Sequence, residues 1–163
     1  MITPAYVRTM AAYNSEMNRR LYAAASRLSD AERKCDRNAF WGSLHNTLVH
    51  ILCRFDGWER PTTPIKDSGG MLEDWAELSA RRVEADAKIE DWARQVDDAY
   101  LARDMTWFSG AAQREVTAPY RLLVTHFFNH QTHHRGQAHA LITAAGEKTE
   151  DTDLFLVIPR MIA

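Results

Sequence analysis

Residues that staple or interrupt a chain are scarce in this sequence. Its 163 residues include two cysteines, seven glycines and five prolines. Cys35 and Cys53 lie far apart and form no CxxC. That pattern is expected of free thiols in a cytoplasmic protein. Most glycines and prolines fall outside the periodic segments, so long helices are expected. No apolar run approaches the ~20 residues needed to span a bilayer. The N-terminal MITPAYVRTM lacks the apolar core of a signal peptide. Charge of one sign is not in excess either: 20 Lys and Arg stand interspersed against 22 Asp and Glu, for a net charge of -2. Neither a nucleic acid nor a membrane is therefore an expected partner. No repeat or low-complexity tract is present. With 45% hydrophobic residues, the chain has material for one core, and a single domain over residues 1–163 is expected.

What is abundant is histidine, in one place. Five of the seven histidines lie between His126 and His139. Neutral imidazole is the commonest protein metal ligand. Whether these rings can act together depends on the helix that carries them.

Four long helices are legible. In residues 5–28, Tyr6, Met10, Tyr13, Met17, Leu21, Ala24 and Leu28 step by three or four, after Pro4 at a first-turn position. Ser29-Asp30-Ala31-Glu32 is a capping box. A second helix is expected from about Trp41 to Glu59. It is apolar nearly all round, which marks a central element. Pro61 and Pro64 end it, and a loop runs to Gly70. A third helix, 72–96, pairs an apolar row (Trp75, Leu78, Ala85, Ile89, Trp92, Val96) with a solvated face that includes Arg81, Arg82, Glu84 and Glu90. Residues 97–118 are poorly periodic, with two short extended segments around a turn. The fourth helix, 119–145, opens at Pro119 and closes at Gly146. The apolar tail Leu154–Ile158 is expected to fold back or to cover a neighbouring chain. The fold class is all-α, and bundles of this kind hold metals between facing helices.

The apolar stripe of the fourth helix is Leu123, Phe127, Ala138, Leu141 and Ala145. His130 and His134 fill its gap, and side chains at i and i+4 lie ~5–6 Å apart on one helix face. A single core histidine is ordinarily satisfied by a backbone carbonyl. Two at this spacing, with another histidine in reach, favour a metal, because unpaired core imidazoles are costly to desolvate. His126 continues the row. His133 and His139 fall on other faces, Gln137 points toward the row, and Arg135 reads as a surface residue at its rim. The HExxH of zincins is absent, and so are the Glu-x-x-His pairs of di-iron bundles. On the second helix His45 and His50 point about 140° apart. Periodicity does not choose between them as a third donor.

The run Trp41-Gly42-Ser43-Leu44-His45-Asn46-Thr47-Leu48-Val49-His50, followed by Asn129-His130-Gln131-Thr132-His133-His134-Arg135-Gly136-Gln137, resembles the DinB/YfiT-like family of metal-dependent enzymes. The similarity spans nearly the whole chain, including Asp56 and Trp58 after the first motif and Gly146 and Asp153 after the second. It implies an up-down-down-up four-helix bundle, a homodimer, and a divalent ion, zinc or nickel, on His50, His130 and His134. Asn46 and Gln137 are then placed to steady the ligating rings, with His126 and His133 as extra histidines nearby. Three histidines leave a coordination position open, as in catalytic sites. Relatives of this kind include thiol S-transferases and hydrolases. The implied function is metal-dependent chemistry on a small molecule, with a low-molecular-weight thiol as a candidate co-substrate. No residue beyond the metal site stands out as catalytic, and no carboxylate base is evident. The competing reading is a non-catalytic, metal-binding stress-response bundle acting through protein interaction.

Overall fold

A computed structural model describes residues 2–53, 72–110 and 112–158. Its elements are α1 (Pro4–Ala25), α2 (Asp30–Lys34), α3 (Leu44–Cys53), α4 (Trp75–Gln95), α5 (Asp98–Ala102), β1 (Asp104–Ser109), β2 (Arg114–Pro119), α6 (Tyr120–Ala144) and α7 (Leu154–Val157). The described residues are mostly helical, with one small sheet.

Local chemistry sets most of the boundaries. Thr3 caps α1 by accepting from the Tyr6 amide at 3.2 Å, and Pro4 follows in the first turn. Ser29 and Glu32 form the expected capping box. Asp74 accepts from the Glu77 amide at 2.7 Å, so α4 starts at Trp75 rather than Leu72. The helix α3 begins at Leu44, three residues after the expected start. Trp41 and Gly42 belong instead to a turn, with an Ala39–Gly42 bridge and Gly42 at φ 76°. The Ser43 hydroxyl then accepts from the Asn46 amide at 3.1 Å. Helix α6 ends in a Schellman motif: the Gly146 amide donates to Thr143 and the Glu147 amide to Ile142, with Gly146 at φ 89°. The continuation of the second helix to Glu59, its stop at Pro61 and Pro64, the loop to Gly70, and Asp56 and Trp58 lie outside the described residues.

The extended segments in 97–118 form an antiparallel hairpin, paired from Asp104↔Pro119 to Ser109↔Arg114. Strand β2 runs directly into α6, whose Tyr120 amide donates to the Arg103 carbonyl. The tail folds back in part: Val157 and Ile158 are buried, while Leu154, Phe155 and Leu156 stay exposed. The segment before it is tied to α1, where the Tyr13 hydroxyl donates to the Thr152 carbonyl at 2.6 Å. No helix among the described residues is long and apolar enough to cross a membrane.

Helices α1, α3, α4 and α6 pack on one another. Their interior holds two apolar clusters. One includes Leu21, Leu44, Leu48, Leu78 and Ile142; the other includes Val7, Ala11, Ile89, Val124 and Phe128. On α1, α4 and α6 a polar layer separates them: Asn14 and Asn18, Arg82 and Asp86, Gln131 and Arg135, all buried. Arg82 and Asp86 pair at 2.8 Å. Asn14 and Asn18 donate to the same Asp86 oxygen at 3.1 and 2.9 Å. Arg135 donates to Asn14 and, at 3.1 Å, to Thr132. Desolvation pushes the Asp86 carboxyl up to about 6, against the opposing pull of Arg82 and Asn18. Two expectations fail here. Arg82 is 2% exposed and Arg135 is 7% exposed, not members of solvated faces. Arg82 is held inside by Asp86, one turn along its own helix, whose carboxylate also accepts from Asn14 and Asn18 of α1. Arg135 is held by Asn14 of α1 and Thr132 of α6, and these contacts offset the cost of burial.

Candidate metal centre

Helix α3 supplies His50, and α6 supplies His130 and His134. Each ring offers one nitrogen, and the three nitrogens lie within 4.8 Å of one another. The ring centroid of His50 is 4.4 Å from that of His134 and 5.3 Å from that of His130. Across the i,i+4 pair the two Nε2 atoms are 3.1 Å apart. At that distance, two imidazole nitrogens are either bridged by a proton or face one ion. A tetrahedral zinc with bonds of ~2.0–2.1 Å holds its nitrogen donors about 3.3 Å apart. The α6 pair already has this spacing, and the donor set, all neutral imidazole, fits a divalent transition metal.

Supporting contacts orient the rings. The His134 Nδ1–H donates to Gln137 Oε1 at 2.7 Å, which leaves the Nε2 lone pair directed at His130. The Gln137 amide nitrogen in turn lies 3.2 Å from His133 Nε2. This is how a ligating histidine is normally held. Trp41 lies flat over His50, with ring centroids 3.9 Å apart and planes at 24°. Asn46 contributes through that tryptophan, its side-chain amide donating to the Trp41 carbonyl at 3.2 Å. The turn at Gly42 is what swings Trp41 back over α3.

The remaining histidines separate clearly. His45 is buried, with its Nε2 2.7 Å from the Leu72 carbonyl. It is a core histidine whose Nε2 is taken by backbone. His126 is exposed, with its ring 5.6 Å from that of His130. His133 is exposed beside His134, and His139 bonds Thr149 at 2.9 Å.

The packed face of α6 is rotated from the expected stripe. Its most buried residues are Val124, Phe128, Gln131, Ala138 and Ile142. The row through Leu123 and His130 therefore runs along the edge of the interface. His134 is buried and His130 only half-buried, so the cluster is reachable from solvent on one side. Two contributors escaped the sequence reading. Trp41 gave no periodic signal because it precedes the helix. Gln131 lies on the Val124–Phe128–Ala138 row and donates to the Ile51 carbonyl at 3.1 Å, cross-linking α6 to α3. That row was visible in the sequence. Among the described residues the cluster is three imidazoles, with no carboxylate.

A family model described as the DinB family matches residues 1–160. No curated protein and no solved structure matches the chain.

Proposed function

The chain belongs to the DinB family, and from that premise we propose that it binds a divalent metal through His50, His130 and His134 and acts on a small molecule there. One observation carries the reading: two helices bring three imidazole nitrogens within 4.8 Å of one another. Zinc and nickel both suit neutral imidazoles. Such an ion, once bound, supplies Lewis acidity to a water molecule or to a low-molecular-weight thiol co-substrate. The protein's own contributions are positional. Gln137 sets the tautomer of His134, Trp41 holds the plane of His50, and the half-exposed His130 marks the side open to substrate. The reaction class is thiol S-transfer or hydrolysis. The packing of α1, α3, α4 and α6 supports an up-down-down-up bundle, and a homodimer covering Leu154, Phe155 and Leu156 belongs to the same proposal.

A second reading is a non-catalytic metal-binding bundle acting through protein interaction; among the described residues the cluster is imidazole only, which suits holding an ion as well as it suits chemistry on one. Metal analysis of untagged protein beside a His130→Ala/His134→Ala variant tests the ligand set; equal metal in both refutes it. Metal-loaded protein is then assayed with thiols and electrophilic acceptors, and with esters and amides. Metal-dependent turnover selects the enzyme, and none across the panel selects the binding protein.

A further inference from the structure

A cleft of ≈ 290 Å³ lies between α1, α6 and residues 149–152. Its α6 wall is Thr132, Arg135, Gly136 and His139. At about 100° per residue, this row is centred roughly opposite His130 and His134 on the helix. The cleft is therefore separate from the histidine cluster.

Three observations point to what it holds. The first is charge. Among the described residues of the buried layer two guanidiniums, Arg82 and Arg135, accompany one carboxylate, Asp86, which is paired with Arg82. Arg135 donates to Asn14 Oδ1 and Thr132 Oγ1, both neutral. Among the described residues, no carboxylate lies within salt-bridge distance of Arg135. Asp86, already paired with Arg82, acts on Arg135 only through space. A buried cation with no acid in contact is costly, and this one lines an open cleft. The carboxylate at the rim, Glu150, is turned to Arg20 at 3.6 Å, and Arg20 also pairs with Glu16 at 2.6 Å.

The second is donor capacity. A guanidinium has five N–H donors in a planar fork. The two bonds to Asn14 and Thr132 leave donors for a bidentate oxyanion.

The third is Gly136. It sits inside α6, where glycine costs stability relative to alanine. A Cβ built there meets nothing within 4 Å. No close backbone approach requires the glycine, and its missing side chain keeps the wall of the cleft open.

We propose that this cleft binds a small molecule carrying an oxyanion, its carboxylate or phosphate seated on Arg135 and its carbon portion against Met17 and Leu21. The test is amide NMR of the full chain, titrated into the millimolar range with inorganic phosphate and, separately, butyrate, against chloride at equal ionic strength. Shifts concentrated in Thr132–His139 and Thr149–Thr152 are expected, and the two arms separate phosphate from carboxylate ligands. Gly136→Leu narrows the cleft and keeps the Arg135 guanidinium in the chain, and is expected to weaken binding about tenfold or more by costing the anion a charge-assisted contact. The wild-type map decides independently of how well that variant folds. No shifts with either anion overturn the proposal, as do shifts centred on His50, His130 and His134. Equal binding by wild type and a folded Gly136→Leu overturns it too.

Discussion

The same turns of α6 carry two polar clusters of opposite design. Toward α3, His130 and His134 meet His50: three groups that can be neutral, with nitrogens within 4.8 Å and rings steadied from behind by Gln137 and Trp41. Toward α1 and α4, Arg135 joins Arg82, Asp86, Asn14 and Asn18, where charges are matched mainly by other protein groups. The first cluster converges on a point between its members. The second is cross-linked, each member serving another. Convergent donors suit a guest ion, and cross-linked charges hold three helices in register. Removing one partner should therefore have opposite consequences on the two sides: lost metal on one, lost stability on the other.

The largest expected effect is on the charged side. Arg82→Ala leaves Asp86 buried without its nearest cation and should cost about 3–5 kcal/mol, read by urea unfolding of metal-free protein. His130→Ala in the same assay should cost about 1 kcal/mol. A reversed order would break the contrast.

Next comes pH. The Asp86 carboxyl sits near 6 in the folded chain, against ~3.9 unfolded. Its proton is thus held more tightly in the folded state. That contribution is complete below about pH 4 and is lost as pH rises through 6, for a total of about 3 kcal/mol. Unfolding free energies measured from pH 7 down to 4 should climb for wild type relative to Asp86→Asn. Glu16 works in the other direction: hydrogen bonding from Arg19 brings its carboxyl down to about 2. Its contribution is present above its unfolded pKa and is lost at more acidic pH than the Asp86 window. A wild-type curve parallel to Asp86→Asn would show that burial does not govern Asp86.

On the histidine side, zinc at about a hundredfold excess over its Kd should stabilise wild type by about 2.7 kcal/mol. Thermal unfolding of the His130→Ala/His134→Ala variant should not respond. The smallest effect sharpens the comparison most. Gln137→Leu removes the acceptor on His134 Nδ1 and should weaken metal binding about 10–100-fold, by competition with a chelator, while metal-free stability stays nearly unchanged.

How much could be read beforehand differs between the two clusters. The i,i+4 pair His130 and His134 was legible because both donors sit on one helix, where spacing alone sets their proximity. The hairpin, the capping box and the Gly146 stop were legible for the same reason, since each depends on neighbours in sequence. Arg82 and Arg135 were not. Their charge and spacing match a solvated helix face; burial is made tolerable by a polar layer that α1 completes, Asn14 and Asn18 donating to the Asp86 carboxylate that pairs with Arg82, and Asn14 accepting from Arg135. Trp41 was hidden by a turn that returns it over the helix it precedes.

The order and type of the main helices, the shared row of His130 and His134, and membership of the DinB family follow from the sequence by itself. Periodicity, caps and motifs are local and survive without a partner. Tertiary structure decided that His50 faces α6 while His45 bonds the Leu72 carbonyl. It also rotated α6 so that His130 lies at an accessible edge, and it drew two arginines inside. A helix wheel gives each side chain an angle but no neighbour. Whether an imidazole or a guanidinium ends as ligand, core or surface depends on what the other helices place opposite it.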